Sequence, residues 1–325
     1  MQQTLKNTKA RKKQSQALEI WKRFKRNPVA MTGLVVIAAL VLMAVFAPVI
    51  APGDGINPGY NLMRFGAEYR LQSPSRDAWF GTDQFGRDQF NRIVHGGRTA
   101  LQVGFIVVSI SMTAGVIIGS ISGFYGGLTD NVLMRIIDIV LAIPTILLCI
   151  SIAAVLNPGL TTVMIAVGIG AIPGYARQVR AAVLSVKEQE YVEAARSVGA
   201  NDFRILRKHI LPNCMAPIII EATMGMAGAI LMAAALSFLG LGLQPPSPEW
   251  GAMLSNGRQF MLGGYGHMTF FPGLFIAMVV FALNMMGDGL RDAFDPKLRT
   301  ASLSRKQFLR KAERMRREIK KAEEA

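Results

Sequence analysis

The chain has 325 residues, 51% of them hydrophobic and 18% charged, with a formal net charge of +15. Its mean hydropathy of +0.33 reflects more apolar mass than one soluble core needs. The basic residues stand in blocks that flank apolar runs, which argues against nucleic acid as the partner and for a membrane protein.

Charge is absent from Asn27 to Gly53, Thr99 to Thr129, Ile139 to Ala176, Ala222 to Pro248 and Gln259 to Gly287. Each run exceeds the ~20 residues that cross a bilayer core. The third holds two spans, divided at the turn signal Asn157-Pro158-Gly159. The pattern predicts an all-α, polytopic membrane protein with six transmembrane helices, at 30–50, 101–123, 133–156, 163–184, 216–239 and 268–287.

Residues 1–29 read as a basic tail that ends in an interfacial helix. Leu18, Trp21 and Phe24 recur near helical spacing among Lys22, Arg23, Lys25 and Arg26, as suits a helix in the headgroup layer; the alternative is a plain basic flank that sets topology. Residues 30–98 hold the first span and an external segment that mixes charge with Gly and Pro. The apolar run of that span is longer than the ~7–15 residues of a signal-peptide core, so it reads as an uncleaved anchor. Residues 99–290 form a five-helix core. Its second external loop, 240–267, contains "GLGLQPPSPEWG", whose three prolines preclude regular helix. Residues 291–325 form a basic tail, helix-forming in "RKQFLRKAERMRREIKKAEEA". With six crossings, 29 of the 36 Lys and Arg share the side of both termini. By the positive-inside rule that side is the cytoplasm.

No G-x-x-x-x-G-K-[ST] occurs, so the chain is expected to have no ATPase site of its own. His95, His209 and His267 are scattered without metal-ligand spacing and read as polar surface or interface residues. There is no G-x-S-x-G elbow, and Ser237 reads as a helix-packing serine rather than a nucleophile. Cys149 and Cys214 fall in or beside spans and imply no disulfide framework. Asp138, Glu221 and Asp288 lie toward predicted helix ends, which disfavours an ion-coupled secondary carrier. Gly115, Gly119 and Gly123, and again Gly168, Gly170 and Gly174, permit close helix packing. Energy must then come from outside this chain.

One polar stretch is too organised for a linker: "EYVEAARSVGANDFRILRKHILPN", residues 190–213. Good helix formers run to Val198, and Gly199 tolerates the positive φ that ends a helix. Asn201 or Asp202 can cap a second helix whose apolar face carries Phe203, Leu206 and Ile210, and Pro212 closes it. The reading is a rigid helix–turn–helix foot that inserts into a groove of a cytoplasmic partner.

The stretch resembles the EAA motif of ABC importer permeases, E-A-A-x-x-x-G, nine residues, I-x-L-P. Glu193, Ala194, Ala195, Gly199, Leu211 and Pro212 match; the motif's isoleucine falls on His209, with Ile210 one step later. "NPVAMTGLVV" with "FAPVIAP", "GTDQFGRDQFNRIVHGGRTAL", "ALSFLGLGLQPPSPEWGAML" and "NMMGDGLRDAFDPKLR" resemble blocks of the C-type permeases of dipeptide and oligopeptide systems. The resemblance implies a type I ABC importer permease fold and a non-enzymatic subunit of an ATP-driven importer for di- or oligopeptides. Its partners would be a B-type permease, two ABC ATPases that bind ATP and Mg, an extracytoplasmic solute-binding protein, the peptide and membrane lipid. The site would be a bacterial or archaeal cytoplasmic membrane. Coupling to the ATPases would run through 188–213. Glu193 would meet a cation of the ATPase and Ala194 and Ala195 would allow close approach. Gly199 would set the elbow, and Phe203 and Leu206 would anchor; Asp202, Leu211 and Pro212 complete the candidate set. A nickel or other small-solute permease of the same architecture is the alternative reading.

Overall fold

The computed structural model describes residues 16–53, 67–244 and 246–295. The expected helix in the C-terminal tail, most of the basic N-terminal tail and part of the external segment lie outside the described residues.

The described residues are mostly helical. α1 (Gln16–Phe24) is followed by α2 (Pro28–Val45), which starts with Pro28 in its first turn and Asn27 as cap. The Asn27 side chain accepts from the amides of Val29 and Ala30, two donors no helical carbonyl can serve. α2 stops five residues short of the expected span end, and a separate turn, α3 (Ala47–Ile50), follows. The reason is Pro48: it has no N–H for the carbonyl of Ala44. Arg98 takes over, donating to the carbonyls of Ala44 and of Val45.

α4 (Gln89–Tyr125) begins three turns before the expected span, capped by Asp88. "QFNRIVHGG", assigned from the sequence to the external segment, is therefore helix. At 37 residues and 1.5 Å per residue, α4 is about 55 Å long and outreaches a ~30 Å hydrocarbon core. The expected continuous span at 133–156 is replaced by two helices, α5 (Gly127–Leu141) and α6 (Thr145–Val155), bent by 85°. Pro144 takes an extended ψ of 125° and disfavours helical backbone at Ile143 before it. Five described helices are long and apolar enough to cross a membrane, and the bent pair makes a sixth only as a broken span.

α7 (Leu160–Lys187), α8 (Glu190–Ser197), α9 (Asp202–Ile205), α10 (Met215–Phe238), α11 (Trp250–Arg258) and α12 (His267–Phe294) complete the chain. α4 and α7 run parallel in the most extensive helix contact. A Cβ on Gly115 would stand 2.4 Å from that of Tyr175, and one on Gly119 2.4 Å from the Ala176 carbonyl. The expected small-residue packing is therefore on α4, and it extends to Gly168 and Gly170, whereas nothing lies within 4 Å of a Cβ at Gly174.

Each end of the bundle has its own lock. At the near end, Phe24 is buried with Ala30 and Ala293. Arg23 donates to the carbonyls of Ala293 and Asp295, and Asn27 donates to Asp292. At the far end, Asp83, Arg87 and Arg92 are each under 10% exposed. Asp83 holds Arg87 at 2.6 Å and lies 3.7 Å from Arg92, which donates to the Pro246 carbonyl at 2.8 Å. The indole of Trp250 donates to the carbonyl of Ile93. The described parts of the two segments expected to be external thus pack against each other.

Three single residues differ from or refine their reading. His95 is buried, with Nε2 at 2.9 Å from the Ala51 carbonyl. His267 reaches the carbonyl of Thr82. Ser237 is buried against Glu249, the cap of α11; burial pushes that carboxyl up, while the amides of Gly251 and Ala252 and the Ser237 hydroxyl pull it down.

Candidate interaction site

α8 closes with two hydrogen bonds that fix its direction. The Ala200 amide donates to the Ala195 carbonyl at 3.1 Å and the Gly199 amide to that of Arg196 at 3.0 Å. Together with φ +81° at Gly199, this is a Schellman ending, in which left-handed backbone satisfies the last carbonyls. Asn201, not Asp202, supplies the next cap: its Oδ1 accepts from the Arg204 amide at 2.9 Å.

α9 then widens into a π turn over Leu206–Ile210, where the Leu211 amide donates to the carbonyl of Leu206. A π turn takes one more residue than an α turn, so positions five apart share a side. Ile205 and Ile210 are accordingly both fully buried. They pack with Val192, Ala195, Phe124, Val179, Val183, Cys214 and Ile218. Burial pushes the Cys214 thiol up to about 11, so it behaves as a small apolar residue.

The apolar face expected from the sequence, Phe203 with Leu206 and Ile210, is therefore realised differently. Ile205 replaces Phe203 in the core, Leu206 is half-buried and Phe203 is 70% exposed. Within the EAA match, Ala195 faces the protein's own α4–α7 core while Glu193 and Ala194 point out. Asp202 and Pro212 are exposed and Leu211 is half-buried. The outward surface thus carries Glu193, Ala194, Phe203 and one residue the sequence reading passed over, Val198, 85% exposed. Two large apolar side chains are thus held out on a braced polar turn. Val198 had a signal in its place immediately before the glycine, where a helix ends.

The foot stands on α7, and α7 is tied to its neighbours. Lys187 donates to the Gly123 carbonyl at 2.9 Å. Arg180 grips both carboxylate oxygens of Asp130 at 2.6 Å, and Arg177 pairs with Asp138. Asp138, read from the sequence as an ionisable group toward a helix end, thus links α5 to α7 alongside Asp130. These side chains tie the helix that carries the foot to α4 and α5.

Residues 115–300 match a family described as the inner membrane component of binding-protein-dependent transport systems. Residues 15–79 match the N-terminal transmembrane domain of oligopeptide transport permease C. The chain is 47% identical over 284 residues to a dipeptide transport system permease of Alkalihalophilus pseudofirmus, covering 87% of this chain and 90% of the relative. It is 42% identical to a di/tripeptide transport system permease of Pseudomonas aeruginosa, covering 87% and 93%. With a glutathione transport system permease of Escherichia coli it shares 44% identity over 86% and 90%. A structure of the MetNI methionine ABC transporter superposes with a TM-score of 0.52 at 21% identity, over 63% of this chain and 97% of that one. That likeness concerns the fold.

Proposed function

We propose a function from one premise: the chain belongs to the family of binding-protein-dependent transport system inner membrane components. It is a transmembrane permease subunit of an ABC importer for di- and oligopeptides, and forms part of the translocation pathway rather than an enzyme. The finer reading is the one the resemblance implied. A second, B-type permease completes the pathway, two ATPases bind and hydrolyse ATP with Mg, and an extracytoplasmic binding protein delivers the peptide. Both termini and the foot face the cytoplasm, as the distribution of Lys and Arg favours.

The observation that supports coupling through the foot is its division into two faces. Ile205, Ile210, Val192 and Ala195 fix it to α4 and α7, while Glu193, Val198 and Phe203 stay free on the other side. An ATPase groove that receives those three would move α7 with the foot, because the inner face has no slack to absorb the shift. The test is reconstitution of the complete importer in liposomes. ATP-dependent peptide uptake that needs the binding protein is expected. Uptake that persists without ATP and collapses with a proton gradient would return the ion-coupled carrier. A binding-protein ligand screen that finds nickel and no peptide would select the alternative solute.

A further inference from the structure

α10 and α12 pack together, and three neighbouring hollows that share lining residues form a groove along α12. The first, at the far end near His267 and Phe270, holds about 810 Å³. The second holds about 510 Å³ and shares Gly273 and Ala277 with the first. The third holds about 370 Å³ and shares Leu231 and Val280 with the second. The groove therefore follows α12 from Gly266 to Asn284, roughly 27 Å at 1.5 Å per residue, close to the ~30 Å thickness of a hydrocarbon core.

All three hollows are mainly apolar, and the third adds a carboxylate and an amide to its lining, those of Glu221 and Asn284. Glu221 lies six residues into α10, about 9 Å along its axis. No ion pair or side-chain hydrogen bond joins its carboxylate to a described residue; the Tyr175 hydroxyl meets only its backbone carbonyl, at 3.4 Å. By contrast, Asp130 and Asp138 are each held by an arginine. The hollow is open at Gly228, where nothing lies within 4 Å of a Cβ, whereas a Cβ at Gly225 would meet the Tyr175 hydroxyl. Glu221 is half-buried and lines this hollow, where its carboxylate can meet a cation.

We propose that Glu221 and Asn284 form a transit site for the α-ammonium group of the peptide being imported. The inference rests on the peptide-importer reading. Free peptides differ in side chains but share an ammonium group and amide bonds. Glu221 complements the first, and the Asn284 amide can both accept from and donate to the second. Met224, Leu231 and Val280 supply apolar walls without directional demands, and Met224 is pliable enough to admit different side chains. The volume lies within the roughly 300–1,000 Å³ of small-molecule sites.

The experiment uses the complete importer in liposomes, supplied through the binding protein with a library of free L-dipeptides and read by mass spectrometry. Glu221→Gln is expected to lower uptake of every imported dipeptide about tenfold, the scale of one lost charge-assisted contact. Stimulation of ATPase activity by the loaded binding protein should persist, and Glu221→Asp should keep at least half of the uptake. In a background of Cys149→Ala and Cys214→Ala, a charged water-soluble thiol reagent should modify Glu221→Cys in the assembled importer, a readout that survives loss of transport. Parental uptake by Glu221→Gln, loss of uptake and stimulation in equal measure, or an unreactive Glu221→Cys each overturn the transit site and leave the importer reading in place. A parental complex that imports no dipeptide overturns both.

Discussion

The amide of Ala200 donates to the carbonyl of Ala195 at 3.1 Å, and with the bond from Gly199 to Arg196 it turns the chain from α8 into the second half of the foot. The Ala200 bond can form because the intervening Gly199 sits at φ +81°.

A side chain at Gly199 would meet nothing within 4 Å, so substitution there acts on the backbone alone. Gly199→Val should strain the left-handed turn by roughly 1–2 kcal/mol and re-aim Asp202 to Leu206. Assembly of the permease pair should survive, while binding-protein-stimulated ATPase activity and uptake fall together. Gly199→Asn, which tolerates this backbone better, should retain more of both. Equal activity in the two variants would show that the angle of the elbow does not matter.

Ile205 and Phe203 are two residues apart but face opposite ways, which separates stability from docking. Ile205→Ala removes a fully buried side chain and should destabilise the chain by about 2–5 kcal/mol, visible as a lower Tm in detergent. Phe203→Ala removes a side chain that is 70% exposed; it should leave Tm near the parental value and weaken ATPase binding. Glu193→Lys should also weaken it, by reversing charge at the contact, more than does the exposed control Glu188→Lys, which precedes α8. Pull-down of the ATPases by each variant checks the order.

Asp83 stands against two buried guanidinium groups. Asp83→Ala removes the carboxylate that faces both, at a cost of about 3–5 kcal/mol, the range for breaking a buried ion pair by removing one partner. The expected result is proteolytic sensitivity at the far end, around Pro246 and Ser247, whose carbonyls Arg92 holds. Unchanged protease resistance would show that Trp250 and Glu249 hold this end unaided.

Thiol labelling from outside intact cells checks the orientation. With Cys149 and Cys214 replaced, Ser75→Cys and Leu262→Cys, both at exposed far-end positions, should be tagged. Ser197→Cys, exposed on the foot, should be spared until the membrane is opened. The reverse pattern would invert the topology and remove the cytoplasmic partner from the foot.

By itself the sequence determined what depends on composition and local backbone chemistry. Charge-free runs marked the apolar segments, because a bilayer admits little else, and the clustering of Lys and Arg predicted an orientation. Gly199 and Asn201 marked the elbow, because a left-handed turn and a helix cap each select few residue types. Tertiary structure decided what depends on who packs against whom. The span expected at 133–156 breaks at Pro144, whereas Pro173 and Pro272 lie within continuous helices; a single sequence holds no rule that separates the three. Ile205 is buried in place of Phe203 because a π turn changed the period along that short segment, and a wider turn has no residue signature. The isolated charges Asp130, Asp138, Arg177 and Arg180 became two links because α5 lies along α7. Glu221 found no such partner among the described residues, a difference that only the relative placement of helices can create.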